Sequence, residues 1–139
     1  TIQVNFTSAL TLIQQSLPML RTAADRDTER GAKVIALASI TGVYPEPGLA
    51  VYGATKAALI SLIATLNAEE SAAGVTATAI APGYVDTDMS AWVSDTIAPS
   101  SMIRVADLVE VVNMVLRLGR TASIAQIVMS RSGSPGYLA

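Results

Sequence analysis

Phe6, Leu10, Ile13, Leu17 and Leu20 recur at steps of four and three, which puts them on one face of a helix running from near the start of the chain to about Arg21. The stretch Arg21 to Lys33 holds seven charged residues of mixed sign and Gly31, and is expected to be a solvated loop. Val34-Ile35-Ala36-Leu37-Ala38 is apolar without interruption between Lys33 and Ser39, the pattern of a short strand covered on both faces. Gly42, Pro45, Pro47 and Gly48 then turn the chain into a loop. A second helix is predicted from about Ala50 to Ala73, with Gly74 placed to end it. Val75 to Ala81 reads as a second strand, stopped by Pro82-Gly83. Helices are expected over Asp86 to Ile97 and Asp107 to Leu118, the latter with an acidic start and Gly119 beyond its end. Ile124 to Met129 supplies a third strand.

Strands alternating with helices indicate an α/β architecture, a parallel sheet built from crossover units. The second helix is apolar on nearly every side: Ala57, Ala58, Leu59, Ile60, Leu62, Ile63, Ala64 and Leu66 leave it no wide polar face. One side can cover the sheet, so the other is expected to meet a second subunit. The chain also begins almost inside a helix, which predicts that something upstream is missing.

Composition narrows the chemistry. The chain has no Cys and no His, which excludes disulfides, thiol nucleophiles, Ser-His-Asp catalysis and imidazole-ligated metals. Proton transfer must then use Tyr, Lys or a carboxylate. A net charge of −2 with no cluster of Lys and Arg argues against nucleic acid as a partner. The charge-free stretches Ala57 to Ala68 and Ser71 to Val85 fall short of the roughly 18 apolar residues of a membrane span, and the start of the chain does not have the pattern of a secretory signal. The expected setting is the cytoplasm, with no membrane contact.

Tyr52 and Lys56 stand four apart on the second helix and share a face. A phenol near pKa 10 is a poor acid–base catalyst at neutral pH, but a fixed ammonium beside it favours the phenolate. Ser39 lies at the carboxyl end of the preceding strand, where open α/β sheets hold their ligands, and the Tyr-Lys pair opens the helix that follows. Pro82-Gly83 follows the next strand at the same edge, where Gly permits close backbone approach, and Thr87 stands at an expected helix start. Each has a plain structural reading as well: a turn-capping Ser, a strand stop, an ordinary N-cap. Asn5, in an otherwise apolar helix, must satisfy its amide or remain exposed.

The combination of Asn5, Val34-Ile35-Ala36-Leu37-Ala38-Ser39, Tyr52-Gly53-Ala54-Thr55-Lys56 and Ala81-Pro82-Gly83-Tyr84-Val85-Asp86-Thr87 resembles the carboxyl-terminal part of a short-chain dehydrogenase/reductase, from Thr1 to about Met129. Ser39 precedes Tyr52 by 13 positions and Pro82 follows it by 30, in the order and spacing of that family. The resemblance implies a partial Rossmann-like domain over 1–139, the carboxyl-terminal portion of a doubly wound sheet with helices on both faces. It implies hydride transfer between NAD or NADP and a carbonyl or alcohol substrate. Tyr52 would be the general acid or base, Ser39 the holder of the substrate oxygen, and Lys56 a ligand of the nicotinamide ribose that lowers the pKa of the phenol. Asn5 would help to hold a water linking Lys56 to solvent. Pro82, Gly83, Val85 and Thr87 would lie against the nicotinamide. No metal is implied, and a homodimer or homotetramer through the long helices is.

The family's first strand, glycine-rich turn and cofactor-selecting residue have no counterpart in these 139 residues, so the expectation is a catalytic half lacking the amino-terminal one. Met89 to Ile103 corresponds to the substrate loop, where Trp92, Ile97, Met102 and Ile103 could line an apolar pocket. Two other readings compete: a non-catalytic assembly module working through the apolar helix, and a nucleotide-sugar epimerase or dehydratase, which also uses Tyr-x-x-x-Lys.

Overall fold

A computed structural model describes residues 1–139. A π-helical turn at Gln3–Thr7 runs into helix α1 (Ser8–Arg26), followed by strand β1 (Ala32–Leu37). Helix α2 (Ala50–Glu70) leads through a 3-10 turn, Ser71–Ala73, into strand β2 (Val75–Pro82). Helix α3 (Val105–Arg117) and strand β3 (Gln126–Met129) complete the order. The sheet is β1-β2-β3 and parallel throughout, with Ala32 opposite Val75, Leu37 opposite Ile80 and Pro82 opposite Met129.

The core forms because the two faces of β2 carry different side chains. Ala77, Ala79 and Ala81 are all fully buried under Leu59, Ile63 and Leu66 of α2, with Ile13 and Leu17 of α1 packed alongside. Small side chains on the strand let the helix approach closely, and large ones on the helix fill the gap. Thr76, Thr78 and Ile80 on the alternate positions are buried too, so the sheet is covered on its second face as well.

That burial corrects the expectation of a carboxyl-terminal portion alone. A parallel Rossmann-like sheet with helices on both faces starts at the amino terminus and spans nearly the whole chain. The expectation came from comparing the strands with a longer prototype, whereas the helices and strands present here already bury a central strand from both sides.

Local differences have local causes. α1 continues to Arg26, five residues past its expected end, because Arg21 is no loop residue: its guanidinium makes two hydrogen bonds to the Glu70 carboxylate at the end of α2. Only Asp27 to Gly31 forms the turn, with Asp27 accepting from the amides of Glu29 and Arg30. The helix expected over Asp86 to Ile97 is a 3-10 segment at Asp88–Val93, since Ile103 lies alongside Val85 and holds the preceding backbone extended through bonds with Tyr84 and Asp86. Ala50–Ala73 is long and apolar enough by length and composition to cross a membrane, but Leu59, Ile63 and Leu66 within it pack on the sheet.

Arg120 joins the ends of both long helices. Its guanidinium donates to the carbonyls of Ala24 and Ala73, the second at 3.0 Å, placing a cation on two helix carboxyl ends at once. Gly74, at φ +87, leaves the room for it: a Cβ there would fall 2.2 Å from the guanidinium carbon.

Candidate active site

The candidate residues gather where β1 and β2 end. Ser39 follows β1 in extended conformation and caps a 3-10 turn, Ile40–Gly42. Its Oγ accepts from the Thr41 amide at 3.2 Å and from the Thr41 hydroxyl at 2.9 Å. With both acceptor positions used, the Ser39 proton is left to donate outward. Ser39 and Thr41 are both buried.

Two glycines press this turn onto α2. A Cβ on Gly42 would sit 2.7 Å from the Lys56 carbonyl carbon, and one on Gly53 would sit 3.0 Å from the Thr41 carbonyl oxygen. Only bare backbone allows the approach, so the loop bearing Ser39 and the helix bearing Tyr52 and Lys56 are held in one position relative to each other.

Tyr52 stands half-buried in the first turn of α2, and the Lys56 ammonium lies 5.6 Å from the centre of its ring. Lys56 Nζ donates to the Leu37 carbonyl at 3.0 Å, reaching back across the end of β1. Burial lowers the Lys56 pKa, because the charged form loses solvation. Beneath the pair, Thr55 donates to the Tyr52 carbonyl at 2.7 Å and accepts from Asn5 Nδ2 at 3.2 Å. Asn5 therefore reaches the site through Thr55, a hydroxyl that the sequence reading passed over.

Pro82 ends β2, and the Gly83 amide donates to the Met129 carbonyl at 2.8 Å. Val85 pairs with Ile103, and Thr87 is the N-cap of the 3-10 segment without a side-chain bond to it. Ala38 donates to the Ile80 carbonyl, so Ser39 and the Pro82 segment leave the sheet side by side. Tyr84 belongs to the same cluster. Burial raises its pKa first, the Glu46 carboxylate raises it further, and Arg131 opposes them, with the Tyr52 phenol close enough to add a smaller upward push.

The structure thus brings together Ser39, Tyr52 and Lys56, ties Asn5 to them, and sets Pro82, Gly83, Val85 and Thr87 along the same edge. A cavity of about 290 Å³ between α1 and β1 is apolar apart from Asn5 and Lys56 at its wall. A larger one, about 520 Å³, is lined by Met102 and Ile103, two of the four residues expected to line an apolar pocket, together with mainly polar neighbours such as Ser101, Arg104, Asp107 and Arg131; Trp92, Ile97 and the expected catalytic and cofactor-binding residues lie outside it. Lys56 uses one of its three protons on Leu37, and Ser39 keeps its own, so the donors fit the ribose and carbonyl oxygens of a nicotinamide nucleotide with its substrate. Glu46 and Tyr84, joined by a hydrogen bond at 3.4 Å, were missed because they lie 38 positions apart and neither carries a local motif.

The family model for short chain dehydrogenases matches residues 1–98. The 2,3-dihydro-2,3-dihydroxybenzoate dehydrogenase of Escherichia coli is 37% identical over 97 residues, which are 68% of this chain and 37% of that protein. A short-chain dehydrogenase/reductase of Arabidopsis thaliana, SDRA, is 33% identical over 123 residues, 88% of this chain and 42% of its own. The chain therefore spans well under half the length of these relatives. Among solved structures, a 3-ketoacyl-(acyl-carrier-protein) reductase of Brucella melitensis complexed with NADH superposes with a TM-score of 0.78 at 20% identity, covering 93% of this chain and 53% of that one. The family match starts at the first residue. It corrects the view of the chain as a carboxyl-terminal catalytic part lacking the glycine-rich half, since the family pattern and the flanked sheet both run from the amino terminus.

Proposed function

From the premise that this chain belongs to the short-chain dehydrogenases, we propose that it is an oxidoreductase moving a hydride between NAD or NADP and a small carbonyl or alcohol substrate. The observation that carries the reading is the Tyr52–Lys56 pair, 5.6 Å from ring centre to ammonium, beside a Ser39 hydroxyl on a loop locked to the same helix.

The nicotinamide supplies or accepts the hydride when bound. In the reducing direction, Tyr52 gives its proton to the oxygen of the carbonyl as the carbon becomes an alcohol; in the oxidising direction the phenolate takes that proton back. Ser39 donates to the same oxygen and orients it. Lys56 stabilises the negative charge left on the phenol oxygen and offers its remaining protons to ribose hydroxyls. Asn5 acts through Thr55 to fix the first turn of α2, and its free carbonyl oxygen is available to a water beside Lys56. Pro82, Gly83, Val85 and Thr87 form the wall for the nicotinamide. Leu12 and Met19 of α1 and Val51 of α2 are more than half exposed, an apolar surface suited to a homo-oligomer contact. The relatives named above are oxidoreductases, and nothing supports the assembly-module alternative.

The test is to titrate NADH and NADPH while following quenching and blue-shifted emission, then to measure carbonyl turnover in the natural protein and in Tyr52→Phe. The variant should keep cofactor binding and lose turnover by about 10²–10⁴-fold, the range for a general acid. Undiminished turnover would remove Tyr52 from the mechanism.

A further inference from the structure

Glu46 carries the one buried side-chain oxygen or nitrogen of the chain that has no hydrogen-bond partner. It stands in the loop between β1 and α2, flanked by Pro45 and Pro47, whose rings fix their own backbone and narrow the freedom of what lies between. Its carbonyl accepts from the Leu49 amide at 3.2 Å, so the loop is closed on the helix start. Carboxylate oxygen Oε1 accepts from the Tyr84 hydroxyl at 3.4 Å, the long limit of a hydrogen bond, while Oε2 is buried with no partner at all. No Lys or Arg stands within ion-pair distance; Arg131, near enough for Tyr84 to feel, donates its Nε to the Ala139 carbonyl instead.

An ionised carboxylate accepts about four hydrogen bonds, and leaving a buried acceptor empty opposes folding. Fold stability alone gives no reason for an acid here. Its surroundings give a functional one. Glu46 stands in the loop that joins Ser39 to Tyr52, its bond to Tyr84 carries it to the segment after Pro82-Gly83, and Trp92 packs edge-on against Tyr84 with ring centres 5.9 Å apart and planes at 73°. Tyr84 and Trp92 therefore form an aromatic wall with the acid at the Tyr84 hydroxyl, on the edge where Ser39 and the Pro82 segment leave the sheet. Glu46 as a residue is only half-buried and its bond to Tyr84 is long, so a turn about the soft terminal bond, which moves both oxygens together, can bring the carboxylate to an incoming donor.

We propose that Glu46 is a specificity-determining residue, accepting a hydrogen bond from a hydroxyl or amine carried by the substrate in addition to its reacting carbonyl or alcohol group. The selected class is a ring or short chain bearing such a donor, with hydrocarbon analogues and their ethers disfavoured. This deepens the oxidoreductase reading and rests on it for the location of the reacting atoms.

Trp92 is the only tryptophan of the chain, so its fluorescence reports on the wall directly, without cofactor or turnover. The protein is titrated with 1,2-, 1,3- and 1,4-cyclohexanediol and with the dimethyl ether of each. At least one diol should give a saturable change, binding ten-fold or more tightly than its ether. Glu46→Gln should reduce that preference and Glu46→Leu remove it, while Tyr84→Phe keeps it. Circular dichroism melts establish that each variant is folded, and the near-isosteric Gln variant carries the test if the Leu variant is not. Equal binding of diol and ether, no saturable change with any diol, or an unchanged preference in the Glu46 variants would overturn the inference. Carbonyl turnover is measured alongside. Diol preference without turnover would count against the oxidoreductase reading and leave the Glu46 site standing; turnover without preference would do the reverse.

Discussion

Replacing Gly42 by Ala tests whether the Ser39 turn depends on bare backbone contact with α2. The new Cβ would lie 2.7 Å from the Lys56 carbonyl carbon, 2.8 Å from the Ala57 nitrogen and 3.0 Å from Lys56 Cβ, against an ordinary contact distance starting at 3.4 Å. The shortfall reaches about 0.7 Å. Two of the three atoms are helix backbone and cannot yield without breaking the hydrogen bonds of α2, so the 3-10 turn must move. Overpacking of this kind costs about 1–3 kcal/mol. At this chain length that lowers the melting temperature by roughly 3–4 °C per kcal/mol. Ser39 anchors the same turn, and a displacement on the order of 1 Å at a positioning group costs about 10²-fold in rate. Gly48→Ala is the control: its φ of +88 strains any side chain, but nothing lies within 4 Å of the new methyl. That variant should lose about 1–2 kcal/mol through backbone strain without moving Ser39. Urea denaturation and carbonyl turnover are measured on both. A Gly42→Ala protein with unaltered denaturation midpoint and unaltered turnover would refute the reasoning, as would equal loss of turnover in the two variants.

Three further outcomes are expected. Arg21 holds the Glu70 carboxyl below its ordinary value of 4.5, chiefly through the side-chain hydrogen bond, so the pair's contribution is complete above that pH and is lost as pH falls through the lower folded-state value; acid melts of Glu70→Gln should lack this part of the decline. Gly74→Ala combines a left-handed backbone with a methyl inside the Arg120 guanidinium and should cost about 2–4 kcal/mol, falling to the strain alone, about 1–2 kcal/mol, when measured in an Arg120→Ala background. Asn5→Ala removes the 3.2 Å bond to Thr55 and should destabilise by about 0.5–1.5 kcal/mol, read from denaturant midpoints, with a smaller effect in Thr55→Val, where the tie is already broken.

Strong local signals carried most of the fold. The uninterrupted apolar run near Val34 and the Val75 segment both became strands, displaced by no more than two residues; β2 is buried on both faces as an unbroken run requires, whereas β1, expected to be covered likewise, is only partly buried, with Leu37 56% exposed. The Ala-rich helix and its Gly74 stop appeared as expected. The errors arose where distant groups decide the outcome. Arg21 looked like part of a solvated run, yet its partner Glu70 is 49 positions away. Asp86 to Ile97 has helical composition, but Ile103 holds the backbone before it extended. Reliance on a longer prototype led to the expectation of half a sheet, where the faces of β2 are covered on both sides. In the site, the four-residue spacing of Tyr52 and Lys56 was visible because helix geometry guarantees it. Nothing in the spacing announces that Gly42 and Gly53 set the loop against the helix, that Thr55 relays Asn5, or that Glu46 meets Tyr84, since each contact joins different elements.

The bond from Lys56 to the Leu37 carbonyl has a kinetic and thermodynamic reach beyond its local geometry. Leu37 is paired with Ile80, but because the next amide, that of Ala38, donates to Ile80, the Leu37 carbonyl points away from β2, and the ammonium serves as a stopper on the free margin of β1. A sugar hydroxyl arriving at Lys56 competes with that oxygen or shares the cation with it. If Lys56 also holds the nucleotide as proposed, one nitrogen serves both capture and protection against sticking, and a charge-removing change there should impair catalysis and make the protein clump together.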